Sequence, residues 1–358
     1  MPPVGDEALA GFDQPVRFDA EHVVPHAGGG PHPVVPRQLG VDEHPQVDLV
    51  AKGGTPTLAF ESHHLGAKSL DPEPLGSGSI HFMLRRFAQL DVFTERVLSG
   101  NPLAVVIDSG GLDTDNMQRF AHWTNLSETT FLLPPTDPSA DYRVRIFTPT
   151  EELPFAGHPT LGSAHAWLSH GGVPREAGHL VQQCGIGLVR IRLDGTALSF
   201  KAPPLLRGGS VHDSTVDAAA AGLGIARESI VDAAWVDNGP GWLGLLLGSA
   251  AEVRAVRARP VGLTVGIVGL CSADSPFAYE VRAFYSAGGI SLEDPVTGSL
   301  NASIAQWLLD TGRVQAPYLV SQGSEVGRAG VVRVTTDSTG AVWIGGDIAS
   351  CIEGTVDI

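Results

Sequence analysis

Three ionisable side chains stand beside two glycines that open small-residue segments: Glu128 in NLSETTF, His158 in FTPTEELPFAGHPTLG and Asp294 in LEDPVTGS, with Gly157 and Gly298 heading GHPTLGSAHAWL and GSLNASIAQWLL. A carbon acid releases its proton slowly, so its base must be fixed within hydrogen-bond reach and partly desolvated. A carboxyl in a closed cleft meets both needs, and once protonated it can return the proton to a second carbon. A neighbouring imidazole and a second carboxyl can hold polar groups and stabilise developing charge. Plainer roles exist for each residue. A Glu after Ser is commonly solvated, an Asp before Pro can fix a turn, and a His can satisfy a buried carbonyl.

The two glycine-led segments each run through small residues to a Trp and a Leu, an internal echo that suggests two related half-domains, each sending one helix to a shared interface. The first-turn N–H groups of such helices have no intrahelical partner and carry partial positive charge, while glycine admits an anion close to the backbone. Two such ends facing each other would hold a carboxylate.

Elements able to position these residues follow from alternation. In LRRFAQLDVF, Ala88, Leu90 and Val92 alternate with Gln89 and Asp91, as in a half-buried strand. Further strands are expected at 103–107, 129–133, 142–147 and 277–285, and hairpins at LVRIRL-DG-TALSF and VVRVTT-DSTG-AVWI. Asp113 caps an expected helix in which Met117, Phe120 and Ala121 share a face, ending near Thr124. Residues 1–82 differ in kind: they hold 11 of the 26 prolines and 7 of the 13 histidines without a sustained period. They read as a disordered extension or an over-extended start before Met83, and their histidines lack metal-ligand spacing.

Composition removes several function classes. The chain has 358 residues, 43% of them hydrophobic, enough for a substantial core. Its 23 basic against 39 acidic residues, a net charge of −16, disfavour nucleic acid as a partner. Cys184, Cys271 and Cys351 are far apart and form no CxxC or Cys/His ligand pattern, which implies neither disulfide framework nor structural zinc. The most apolar stretches, Trp242–Leu247 and Val261–Leu270, are too short to span a bilayer and read as buried strands or core helix. The opening MPPVGDE has no secretory pattern, which makes the cytoplasm the expected location.

Together with SGNPLAVV at 99–106 and QGSEVGRAG at 322–330, the three strings around Glu128, His158 and Asp294 resemble the PhzF family of phenazine-biosynthesis isomerases, in the same order and from about Met83 to the C-terminus. The resemblance implies an α+β, diaminopimelate epimerase-like fold of two pseudo-symmetric halves, each with a barrel-like sheet around a central helix. Residues 83–195 and 196–358 are the expected halves, with the extreme C-terminus able to return to the first. The family's namesake reaction isomerises trans-2,3-dihydro-3-hydroxyanthranilate without metal or organic cofactor, a glutamate relaying the proton. That glutamate matches Glu128, the supporting histidine His158 and the aspartate Asp294, with Gly157, Gly298 and Ser299 at the helix starts as the substrate-binding set. A small carboxylate is the implied substrate and a homodimer the implied assembly, with no nucleic acid, membrane or metal. Asn101 and Arg328 stay unassigned, since each reads equally as a substrate contact or as a turn amide and a structural cation. The epimerase side of the superfamily uses a cysteine at each helix start, where this chain has His158 and Ser299, so two-thiol epimerisation is excluded. An amino-acid racemase using Glu128 and a second group, and a non-catalytic binding member of the fold, remain the alternatives.

Overall fold

Alternating apolar and polar residues make most of this chain strand. The computed structural model describes residues 83–358 apart from 196, 258–261 and 288–289; the extension expected over 1–82 lies outside the described residues. The first set of elements is β1 (Leu84–Val92), β2 (Asn101–Val106), α1 (Thr114–Thr124), β3 (Glu128–Leu133), β4 (Tyr142–Phe147), β5 (Glu152–Leu153), α2 (Gly157–Ser169), β6 (His179–Cys184), β7 (Gly187–Asp194) and β8 (Ala197–Lys201). There follow β9 (Arg207–Ser210), α3 (Asp213–Leu223), β10 (Ile230–Asp237), β11 (Leu243–Leu247), α4 (Ala250–Ala255), β12 (Val265–Leu270), β13 (Tyr279–Ala287) and β14 (Ile290–Asp294). The last are α5 (Gly298–Asp310), β15 (Tyr318–Gln322), β16 (Gly330–Thr336), β17 (Val342–Gly346) and β18 (Ile348–Asp357).

The order β1 to β8 is repeated by β10 to β17. In each set two antiparallel strands lead into a parallel pair, β2 with β3 and β11 with β12, across a connecting helix. A second parallel pair, β4 with β6 and β13 with β15, encloses the central helix α2 or α5. A hairpin then closes each set, β7–β8 and β16–β17, and the two are joined by β8–β17 pairing. β18 returns to pair with β1, in the place that β9 takes beside β10. This is the diaminopimelate epimerase-like α+β fold, two pseudo-symmetric halves.

The repeat extends to side chains. Arg145 pairs with Glu152 at 2.6 Å and lies 5.0 Å from the Phe147 ring centre; Arg282 pairs with Glu293 at 2.7 Å and lies 5.0 Å from that of Phe284. Both pairs tie the strand entering the central helix to its neighbour. The second is buried, and its guanidinium also donates to the Val253 and Val256 carbonyls, so neither charge is left unpaired.

The central helices are built mostly of small and apolar residues and are buried on almost every side. α2 buries every residue from Gly157 to Ala164 and packs against β1, β2, β3 and β8; α5 packs against β10, β16 and β17. Leu161 of α2 and Ile304 and Leu308 of α5 have no exposed surface and share one core. Each such side chain contributes roughly 1.5–3 kcal/mol relative to exposure. The helices that lead to the site are thereby held on rigid ground.

Candidate active site

The two central helices meet at their N-termini. A Cβ built on Gly157 would lie 2.9 Å from the Gly298 Cα, and one built on Gly298 would lie 3.0 Å from the Gly157 Cα. Only glycine allows this approach. Neither helix has a side-chain cap or an acidic residue in its first turn. Their first intrahelical bonds are Thr160 N–H to Ala156 and Asn301 N–H to Thr297, so the N–H groups of Gly157, His158, Gly298, Ser299 and Leu300 have no partner within the helices. Two positive helix ends therefore converge where the halves touch.

Glu128 is the first residue of β3. α1, capped by Asp113 and buried through Met117, Phe120 and Ala121, ends at Asn125 in the left-handed region, φ 53°. The chain then turns into β3, and a 2.8 Å hydrogen bond between the Thr124 and Thr129 hydroxyls braces the turn. Glu128 Oε2 lies 3.3 Å from His158 Nε2. The pair lacks the alignment of a hydrogen bond, so each of these buried atoms stands without a hydrogen-bond partner. The Glu128 side chain keeps 16% of its surface, so it is walled by protein yet reached from the cleft.

Asp294 comes from the other half, at the end of β14. Its Oδ2 accepts from the Thr297 hydroxyl at 2.6 Å and its Oδ1 from Asn101 Nδ2 at 2.9 Å. Asn101 is fully buried at the start of β2, and the same amide donates to the Val296 carbonyl at 2.9 Å and lies 3.3 Å from His158 Nδ1. Gln322 anchors the loop from below, accepting from Thr297 N–H and donating to the Asp294 carbonyl. Residues at 101, 158 and 294 are thus drawn together by one amide.

Burial sets the protonation of the cluster. It pushes Glu128 up to about 8, with the Asp294 charge adding to the effect. Burial also raises Asp294 to about 6, against the pull of its bonds from Thr297 and Asn101. His158 is pushed down to about 3 by burial, opposed by a bond to the Pro102 carbonyl, and is neutral at physiological pH. Near neutrality the cluster holds one exchangeable proton, divided between the acid and base forms of Glu128.

This arrangement has a consequence for stability. The folded pKa of Glu128 lies above its ordinary 4.5, so the native state binds more protons than the unfolded chain between about pH 4.5 and pH 8. The contribution is fully present below that window and is lost as pH rises through it. Glu128→Gln, which cannot ionise, is therefore expected to melt roughly 5 °C above wild type at pH 8.5 and close to it at pH 5. Thermal unfolding at the two pH values checks this; an equal difference at both would contradict it.

The pseudo-symmetry makes the site one-sided. Glu128 faces Leu103 across the first parallel pair, where Val265 faces Leu243 in the second. Asp294 faces Ala283 where Leu153 faces Ile146. His158 and Ser299 are the second residues of the two helices. Glu128 and Asp294 each stand where the other half has an apolar residue, so two scaffolds build one centre. Ser299 is held by Trp242, whose indole N–H donates to its Oγ at 3.1 Å, and by Asn238, whose Nδ2 donates to its carbonyl at 2.9 Å. Arg328 donates to the Leu98 carbonyl and serves a structural tie. The Tyr285 hydroxyl is pushed up to about 12 by burial and by the charges of Asp294 and Glu128. Among the described residues, no three His, Cys, Asp or Glu side chains are grouped to hold a metal ion, and no helix is long and apolar enough to cross a membrane.

Residues 90–354 match the phenazine biosynthesis-like protein family PhzC-PhzF, about three-quarters of the chain. The chain belongs to the PhzF family of isomerases. A trans-2,3-dihydro-3-hydroxyanthranilate isomerase of Pseudomonas aeruginosa is 33% identical over 287 residues, covering 76% of this chain and 99% of the relative. Antisense-enhancing sequence 1 of Schizosaccharomyces pombe is 34% identical over 294 residues, covering 75% and 97%. A solved PhzF-family structure from Bacillus anthracis superposes with a TM-score of 0.65 at 21% identity, covering 77% of this chain and all of that one, a likeness of fold alone. A predicted epimerase from Pseudomonas aeruginosa gives a TM-score of 0.63 at 28% identity, covering 76% and 99%. Glu128, His158 and Asp294 thus lie at the junction of the halves of a PhzF fold, and Asn101, left open in the sequence, lies between His158 and Asp294.

Proposed function

We propose that the cleft moves a proton from one carbon of a small carboxylate to another, with Glu128 as the carrier. The observation that supports this most is the buried Glu128 carboxyl, poised near neutrality, with an unpartnered oxygen beside the unpartnered Nε2 of neutral His158. The converging helix ends at Gly157, Gly298 and Ser299 hold the substrate carboxylate. Asp294, fixed by Thr297 and Asn101, orients a polar substituent, and its charge keeps Glu128 a strong enough base to take a proton from carbon. His158 stabilises charge that develops beside the reacting carbons. These side chains carry the reaction without a cofactor.

Trans-2,3-dihydro-3-hydroxyanthranilate, the compound named in relatives of this chain, is the first substrate to test. Wild-type protein incubated with it is expected to isomerise it, followed by ultraviolet absorbance and proton NMR. No conversion and no hydrogen exchange with this compound or with a panel of small cyclic carboxylates would overturn the proposal.

The division proposed near residue 195 falls inside the β7–β8 hairpin, and β8, which also pairs with β17, forms the seam between the halves. The protein is further proposed to be a cytoplasmic homodimer. Light scattering is expected to give about twice the 37.4 kDa chain mass. A strict monomer at high concentration would contradict it.

A further inference from the structure

Gln322 heads the string QGSEVGRAG at the end of β15, is fully buried, and has every hydrogen-bonding position in use. Its Oε1 accepts from Thr297 N–H at 3.0 Å and from Asn301 Nδ2 at 2.8 Å; its Nε2 donates to the Asp294 carbonyl at 3.1 Å and to Thr297 Oγ1 at 3.0 Å. Two of these partners are backbone groups with one role each. An N–H can only give and a carbonyl can only receive, so the Gln322 amide fits only this way round. Thr297 Oγ1 therefore accepts from Gln322, and its own proton goes to Asp294 Oδ2, 2.6 Å away. Asn301 adds a lock, since its Nδ2 also donates to the Thr297 carbonyl at 2.9 Å. The fold thus fixes the direction of the chain from Gln322 through Thr297 to Asp294.

The first half repeats this backbone without these groups. Leu153 ends β5 where Asp294 ends β14, and Ala156 precedes α2 where Thr297 precedes α5. Cys184 ends β6 opposite Gly187, where Gln322 ends β15 opposite Gly330. A central helix is therefore entered from the same kind of loop with none of the three side-chain bonds. Building the helix start does not require them, and they occur together in the half that carries the carboxylate.

We propose that Thr297, with its hydroxyl aimed by Gln322, is a positioning residue for the proton transfer, keeping Asp294 a carboxylate so that the moving proton is reserved for Glu128. The inference rests on the proposed role of Glu128 as the carrier. Thr297 and Asn101 both donate to Asp294, and each such bond favours the ionised form. The other titratable groups around it are Glu128 of β3, neutral His158 of α2, Tyr285 of β13 and Glu293, which is paired with Arg282. A proton taken by Asp294 would be lost to Glu128, and so would the negative charge that strengthens Glu128 as a base.

The test reads both carboxyls without substrate, by carbon-13 NMR of full-length protein labelled at its Asp and Glu carboxyl carbons. The signals are assigned by their loss in Asp294→Asn and Glu128→Gln. Wild type is expected to show two linked titrations, near pH 6 and near pH 8. Thr297→Val keeps the shape but loses the hydroxyl, and is expected to raise the lower titration by about one pH unit, because a donor to the ionised form is gone. Thr297→Ser is expected to titrate as wild type does. Gln322→Met, which leaves the hydroxyl free to turn, is expected to raise the lower titration as well, and the double variant Thr297→Val, Gln322→Met to go no further than Thr297→Val alone. Unfolding midpoints are measured on every variant, and the two Thr297 variants carry the test if Gln322→Met does not fold. An unmoved titration in Thr297→Val, a shift in Thr297→Ser as large as in Thr297→Val, or additive shifts in the double variant would each overturn the inference. Failure of the proton-carrier proposal has a separate signature: turnover retained in Glu128→Gln, which leaves these substrate-free titrations of the Thr297 variants as they are.

Discussion

Glu128→Gln is expected to fold, to bind carboxylates as wild type does, and to lose turnover by about 10² to 10⁴-fold, with the loss in kcat rather than KM. The amide preserves the shape of the side chain at the start of β3 beside His158, but it cannot pick up a proton from carbon. Neutral His158 is a poor substitute, because burial holds its pKa near 3 and it would have to become a buried cation. Asp294 is already committed to Thr297 and Asn101. Steady-state kinetics beside a binding titration separates the two effects. A fall in affinity with unchanged kcat would instead place Glu128 among the binding groups.

Gly157→Ala is the second change with a large expected effect. The added methyl would meet the Gly298 Cα and the Phe200 ring, both at 2.9 Å, and the first of these is backbone that cannot swing aside. The helices must separate by several tenths of an ångström, at about 1–3 kcal/mol for an overpacked contact. His158 is attached to one helix, Ser299 to the other, and Asp294 to the loop before it, so the separation also misplaces the reacting groups. A misplacement of about 1 Å can lower a rate by about 10²-fold, and this displacement is a sizeable part of that. The expected outcome is a folded protein with a reduced melting temperature and strongly reduced kcat, measured by calorimetry and kinetics together. Native stability and native kcat would show that the close approach of the helices is incidental.

Much of this architecture can be read along the chain because it is local. Alternation in LRRFAQLDV, YRVRIF and GVVRVTT marks β1, β4 and β16, and Asp113 marks the start of α1, where its carboxylate accepts from Asn116 N–H. The echo between α2 and α5 is visible because both must open with glycine and stay small on every side to fit between sheets. Two helices leave weaker traces. α3 is alanine-rich and capped by His212, an uncommon cap, and α4 is a six-residue helix whose Ser249 cap resembles any loop serine.

The site is legible in its charged members and not in its supports. Glu128, His158 and Asp294 sit in strings whose order carries the family resemblance. Asn101, Gln322, Asn238 and Trp242 take their roles from neighbours 21 to 195 positions away, brought close by strand pairing and by the packing of the central helices. No local period encodes such contacts. Asn101 in SGNPLAVV reads equally as a substrate contact or a turn amide, and its bridge between His158 and Asp294 exists only once the second half is in place. Trp242 reads simply as an apolar residue at the edge of a strand, and only its indole contact with Ser299 gives it a role in the cleft.

The account stands on one carboxyl carrying one proton between two carbons inside a shielded cleft, and the fate of the substrate's own hydrogen reports on that step. With trans-2,3-dihydro-3-hydroxyanthranilate labelled with deuterium at the carbon that loses its proton, single turnover in ordinary water is expected to leave part of the label at the carbon that gains one, read by NMR and mass spectrometry. Retention should vanish in Glu128→Gln along with turnover. Complete loss of the label to solvent at every stage of the wild-type reaction, or retained transfer in Glu128→Gln, would contradict a single shielded carrier at Glu128.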